Sequence, residues 1–125
     1  MDYSNLKKRF LEFALAIFRL TREFPNESVY FNIKDQIIRC SSSSGANYRA
    51  ACRGKSGPDF INKLKIVEEE LDETIYWLDY LTGVEAKWIA LTLNHVKEGE
   101  ELLSIIVASI KTSRKSQQVP LKYKS

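Results

Sequence analysis

Histidine occurs once in this sequence, cysteine twice and proline three times, and the net charge is only +3. Each scarcity excludes something. A di-iron bundle uses Glu-x-x-His motifs on two helices. The single histidine, His95, has Leu91, Thr92 and Glu98 at the flanking helical positions, and only Glu98 is acidic. No metal site is therefore expected. Cys40 and Cys52, placed on one helix, stand ~18 Å apart along its axis. No disulfide spans that distance, and separated thiols suit a reducing, cytoplasmic setting. No apolar run approaches the roughly 20 residues of a membrane span. The most apolar stretch near the end, residues 102–110, is broken by Ser104 and Ser109. The polar and basic residues 1–9 lead into no apolar core of a signal peptide, so neither export nor a membrane partner is expected. A phosphate-binding glycine loop, a dinucleotide fingerprint and a nucleophile–base motif are all missing, so the expectation is a non-enzyme without cofactors.

What is present is helical periodicity. The 125 residues fit one domain large enough to bury a core unaided. Leu6, Phe10, Phe13, Ile17, Leu20 and Phe24 recur at helical spacing and predict a first helix over residues 6–24, capped by Ser4 or Asn5 and stopped by Pro25. Tyr30, Ile33, Ile37, Cys40, Ser44, Tyr48 and Ala51 predict a second over 28–55, with Asn26 as N-cap. Residues 41–45, four serines and a glycine, are poor helix formers and read in isolation as a loop. The face pattern stays in phase through them, which favours a helix that a neighbour approaches closely. The third helix starts after Ser56, which has capping-box spacing to Asp59, with Pro58 in the first turn. Its stripe is Phe60, Leu64, Val67, Leu71, Ile75 and Leu78, and Gly83 is its expected C′ residue. The fourth, residues 85–113, takes Ile89, Leu93, Val96, Leu103, Val107 and Ile110 as its stripe. Short connections favour an all-α, up-down-up-down antiparallel four-helix bundle over residues 1–112. Residues 113–125, with Pro120 and several lysines, read as a basic flexible tail.

The helices carry more apolar residues than one core needs. Leu11, Leu15 and Phe18 form a stripe opposite Phe13. Ile66, Tyr76 and Trp77 point away from Leu71, while Trp88, Leu102 and Ile106 widen the arc of the fourth helix. Scattered exposed apolar residues are ordinary, but a contiguous stripe marks an interface. Leu11, Leu15, Phe18, Trp77 and Trp88 are thus candidate self-association residues, with a different protein on the same surface as the alternative.

Residues 68–73 hold five carboxylates around Leu71. Glu68 and Asp72 flank the third helix's core stripe, where partly buried carboxylates need partners. Arg49 and Arg53 of the preceding helix are the expected partners, with Glu68 favoured. Arg39, Arg49 and Arg53 also lie within about 80° of one another on a straight helix, and arginine forks match phosphate oxygens. Whether these arginines are consumed by ion pairs or left for nucleic acid is open at this level. Lys7, Lys8, Arg9, Lys111, Arg114, Lys115, Lys122 and Lys124 add positive charge at the two ends.

Residues 44–53, Ser-Gly-Ala-Asn-Tyr-Arg-Ala-Ala-Cys-Arg, and residues 59–78, from Asp59 through the acidic run to Leu78, resemble the four-helix bundle proteins also called 23S rRNA-intervening sequence proteins. The end of the first helix, residues 20–25, fits as well, and the resemblance covers roughly residues 6–110. Gly57 and Pro58 are less typical of the linker. The resemblance implies a bundle assembled into a ring, most often a pentamer. Some relatives are encoded inside an insertion in the large ribosomal RNA gene. A similar bundle is the accessory protein of diversity-generating retroelements, which binds nucleic acid and a reverse transcriptase. The expected function is a non-catalytic, oligomeric, nucleic-acid-binding accessory protein with RNA favoured. The alternative is a protein-interaction scaffold that binds no nucleic acid.

Overall fold

The computed structural model describes residues 3–54 and 56–118. Helix α1 spans Tyr3–Thr21, α2 Ser28–Gly54, α3 Gly57–Val84 and α4 Ile89–Gln118, and a 3-10 turn at Ala86–Trp88 leads into α4. Each helix packs on its sequence neighbour and α4 closes back on α1, while the diagonal pairs bring no backbone Cα atoms within 8 Å of each other among the described residues and meet only through side chains in the core. The chain is an up-down-up-down four-helix bundle, with no strand among the described residues. None of its described helices is long and apolar enough to cross a membrane.

The α1 stripe Leu6, Phe10, Phe13, Ile17 and Leu20 is buried as its spacing predicts. The helix ends at Thr21 rather than at Pro25. Arg22, Glu23 and Phe24 donate backbone N–H bonds to Arg19, Leu20 and Thr21 at 3.2, 3.0 and 3.2 Å. These three-residue steps unwind the helix in a tighter turn. The second helix starts at Ser28, so Asn26 lies outside its cap position.

The serine stretch of α2 is helical throughout. Ser41 donates to the Ile38 carbonyl at 3.4 Å, Ser42 to the same oxygen at 2.7 Å, and Ser44 to the Ser41 carbonyl at 2.7 Å. Each hydroxyl is satisfied inside its own helix, so Ser41 and Ser44 are buried without needing a partner elsewhere. Small size matters here: a Cβ on Gly45 would stand 3.4 Å from the Phe10 Cβ. The two helices therefore approach closely, and the Phe10 ring stacks on Tyr48 with centroids 4.8 Å apart.

Helix α3 begins behind Ser56, whose side chain makes no capping bond, so the capping box with Asp59 does not form. Gly57 carries the sharp reversal at φ 88°, a conformation that disfavours any residue with a Cβ. Gly83 is not a C′ residue. The helix continues to Val84, and the extended Glu85 caps it by donating its N–H to the Leu81 carbonyl at 3.3 Å.

The fourth helix differs most from expectation. Of the expected stripe, Ile110 is buried and Val96 and Leu103 pack half-buried against the core, but Ile89 and Leu93 are exposed, and the fully buried positions are Trp88, Thr92, Gly99, Leu102, Ile106 and Ile110. A Cβ on Gly99 would come within 3.3 Å of both Phe13 and Ile75, so a bare position is what lets three helices meet there. Trp88, offered above as an interface residue, is only 2% exposed. It closes the end of the bundle edge-on to Phe24 and Tyr30, with centroids at 5.4 and 5.8 Å. Its indole N–H donates to the Tyr30 hydroxyl at 3.1 Å, which donates to Glu85 at 2.6 Å. The Glu85 carboxylate in turn holds the Tyr30 phenol above its ordinary pKa. Across the seam between α1 and α4, Arg9 grips Glu98 through two bonds of 3.1 and 2.7 Å and Glu101 through one of 3.0 Å. Residues 113–118, assigned above to the tail, belong to α4. The rest of the tail lies outside the described residues.

Candidate nucleic-acid interface

The three arginines of α2 separate into two kinds. Arg39 faces α3. It donates to Glu70 at 3.1 Å and pairs with Glu73, which also accepts the Trp77 indole N–H at 3.2 Å. The Arg39 guanidinium holds the Glu73 carboxyl below the usual carboxylate range, against the opposing pull of burial. Glu73 is therefore ionised at a lower pH in the folded protein than in the unfolded chain. Its contribution is present above the ordinary carboxylate pKa and is lost as the pH falls through the depressed one. Glu73→Gln should lower stability by about 0.2–1 kcal/mol at neutral pH, as half-exposed pairs do. The variant and the parent should converge on acidification. Urea unfolding at neutral and acid pH measures both, and an unchanged gap at acid pH would contradict the linkage.

Arg49 and Arg53 differ. Both are exposed, and neither has a carboxylate within 4.0 Å among the described residues. The expected pairing of Glu68 or Asp72 with Arg49 or Arg53 does not occur. The antiparallel register sets Cys40 against Thr74, whose hydroxyl lies 3.2 Å from the thiol. That register brings Glu70 and Glu73 to α2's one α3-facing arginine. By helical periodicity Glu68 falls on the opposite flank of the α3 stripe from Glu70 and Glu73, and Asp72 is exposed.

Arg49 borders a groove of about 560 Å³ over the seam between α1 and α2. It is lined by Lys7, Lys8, Leu11 and Ala14 from α1 and by Gly45, Ala46 and Arg49 from α2. None of the described residues lining it is acidic. Chemically this is a cationic margin on a shallow apolar trough, and Arg53 follows Arg49 one helical turn on. Sequence reasoning set Lys7 and Lys8 aside as end charges. Their alignment with Arg49 depends on how α1 is rotated against α2, which one helix's periodicity does not specify.

Among the candidate interface residues, Leu11, Leu15 and Phe18 are exposed as predicted. Trp77 is half-buried, its ring edge-on to Tyr76 at 5.2 Å. Cys40 is buried, and its thiol pKa is pushed up to about 11 by that burial, which leaves it a poor nucleophile at neutral pH. Burial also pushes His95 below its usual range. No group of three or more His, Cys, Asp and Glu among the described residues is placed to hold a metal.

Fold and helix packing together define an all-α, up-down-up-down four-helix bundle. The 23S rRNA-intervening sequence protein model matches residues 4–111, and the chain belongs to that family. A similar solved structure is a protein of unknown function from the S23 ribosomal protein family of Bacteroides thetaiotaomicron. It shares 35% identity at a TM-score of 0.79, covering 89% of this chain and 99% of its own. No curated protein matches. Neither description attaches a catalytic activity.

Proposed function

We propose that this chain is a non-catalytic accessory bundle that self-associates and binds nucleic acid, structured RNA in preference, through Arg49, Arg53 and Lys7. The observation that carries this reading is the exposure of Arg49 and Arg53 without carboxylate partners among the described residues, beside a groove with no acidic lining. Arg39 is excluded from the phosphate-binding set because Glu70 and Glu73 already hold it. One subunit at +3 has a weak field, but an assembly repeats the same cationic margin and phosphates sense the sum. RNA is favoured because the family takes its name from intervening sequences of 23S rRNA.

Gel retardation of a structured RNA across a salt series tests the proposal. Binding should weaken steeply between 50 and 200 mM salt, as counterion release requires. Each arginine replaced by alanine should flatten the logarithmic salt slope by about 0.7–0.9. If the parent protein retards neither RNA nor DNA at low salt, nucleic-acid binding is wrong. The scaffold reading would then stand, favoured by the exposed apolar stripe of α1.

A further inference from the structure

The groove over the seam of α1 and α2 differs at its two ends. Gly45 of α2 stands against Phe10 of α1, and the two helices run antiparallel. Lys7 precedes Phe10 and Arg49 follows Gly45 by about one helical turn, so both cations line the same end. Neither makes an ion pair among the described residues, whereas Lys8 has Glu12 3.9 Å away. Ala14 and Ser42 line the other end. Between the ends lie Leu11, Gly45 and Ala46, whose side chains neither donate nor accept hydrogen bonds. The Ser42 hydroxyl donates to the Ile38 carbonyl at 2.7 Å, so its proton is already used. A cleft of about 560 Å³ is of the size that holds a small organic group. This one fits a group with an anionic end and a flat apolar face.

We infer that the groove seats one unpaired nucleotide of an RNA strand, its phosphate between Lys7 and Arg49 and its base against Leu11, Ala14 and Ala46. Arg53, exposed and one turn past Arg49, takes the phosphate of the adjoining nucleotide. A duplex cannot use the site in this way, because its phosphates face outward while its base faces are stacked inside. Proteins that read RNA loops and bulges hold bases that have left the stack. The Phe10 ring is fully buried and offers no face for stacking. Apart from the lysines and Arg49, no lining side chain has a donor to spare for a base edge, so the seat tolerates any base. This rests on the nucleic-acid binding proposed above and names the part of a structured RNA that is held. Leu15 and Phe18 do not line the groove, so it shares only Leu11 with the exposed apolar stripe of α1.

Fluorescence anisotropy with labelled RNA probes tests it: an oligouridine, which stays single-stranded, and a blunt-ended duplex of the same length. The duplex has the denser phosphate charge, so a purely electrostatic surface would prefer it. The parent protein should instead bind the oligouridine about tenfold more tightly, because a paired base must first leave its stack. A hairpin with an open loop should bind like the single strand. Ala46→Leu fills the groove from an exposed position with a good helix former and no change of charge. It should abolish the preference for the single strand while leaving the duplex affinity and its salt slope as in the parent. Ala14→Leu, on the facing helix, should do the same. Each variant is first matched to the parent in circular dichroism and in light-scattering mass. The seat is overturned, with nucleic-acid binding intact, if the parent binds the duplex as tightly as the oligouridine, if the hairpin binds no better than the duplex, or if both folded variants keep the preference. A parent that binds no probe even at low salt overturns the nucleic-acid reading and the seat together.

Discussion

Trp88→Ala should lower the free energy of unfolding by about 3–5 kcal/mol, the range for truncating a large aromatic side chain in a packed core. The ring is 2% exposed. It touches Phe24, which folds back after α1, and Tyr30 at the start of α2, and it stands where the chain turns into α4. Its removal also leaves the Tyr30 hydroxyl without the indole donor, though Glu85 still accepts from it. Chemical denaturation followed by circular dichroism measures the loss. A change within about 0.5 kcal/mol, the scale of surface substitutions, would mean that Trp88 is a surface residue after all.

Phe10→Ala should cost a similar amount, about 3–5 kcal/mol, whereas Leu11→Ala, one residue along, should fall within about 0.5 kcal/mol. Phe10 is fully buried, stacks on Tyr48 and fills the close approach at Gly45, while Leu11 is 59% exposed. The comparison belongs at protein concentrations low enough for the subunit to be monomeric, since any contact Leu11 makes in an assembly would add a concentration-dependent part. Equal losses at both positions would mean that α1 is rotated from the orientation described.

Sequence periodicity located the cores of α1, α2 and α3 because their buried positions hold residues that look buried. Phe10, Ile37 and Leu71 are apolar and at the right spacing. Even the serines of α2 could be kept in the helix, since Cys40, Ser44 and Tyr48 stay on one face through them. On α4 the same logic found Val96, Leu103 and Ile110 but misled at the start of the helix. Two positions facing its core are Thr92 and Gly99, which no hydrophobicity criterion selects, while Ile89 and Leu93 offer a more apolar line that faces solvent. Trp88 was misplaced with them, since its burial depends on Phe24 and Tyr30, both distant in sequence.

The charged residues were legible as candidates but not as partners. Expecting Arg49 and Arg53 to meet Glu68 assumed that nearness to the α2–α3 connection decides who pairs. The antiparallel register decides it: with Cys40 against Thr74, Arg39 falls beside Glu70 and Glu73, and Arg49 and Arg53 stay exposed with no carboxylate within 4.0 Å among the described residues. Likewise, Arg9 and Glu98 are remote in sequence and nothing local marks them as a pair.

The serine-rich centre of α2 has a kinetic consequence. An excised α2 peptide has little reason to be helical, because serine and glycine contribute weak propensity and a helix of this length needs either strong formers or a packing partner. Phe10 of α1, stacked on Tyr48, and Thr74 of α3, against Cys40, supply that partner only once the neighbouring helices have docked. The amides around Ser41–Ser44 should therefore gain protection late in refolding. In the native state their exchange with solvent should proceed only through global opening.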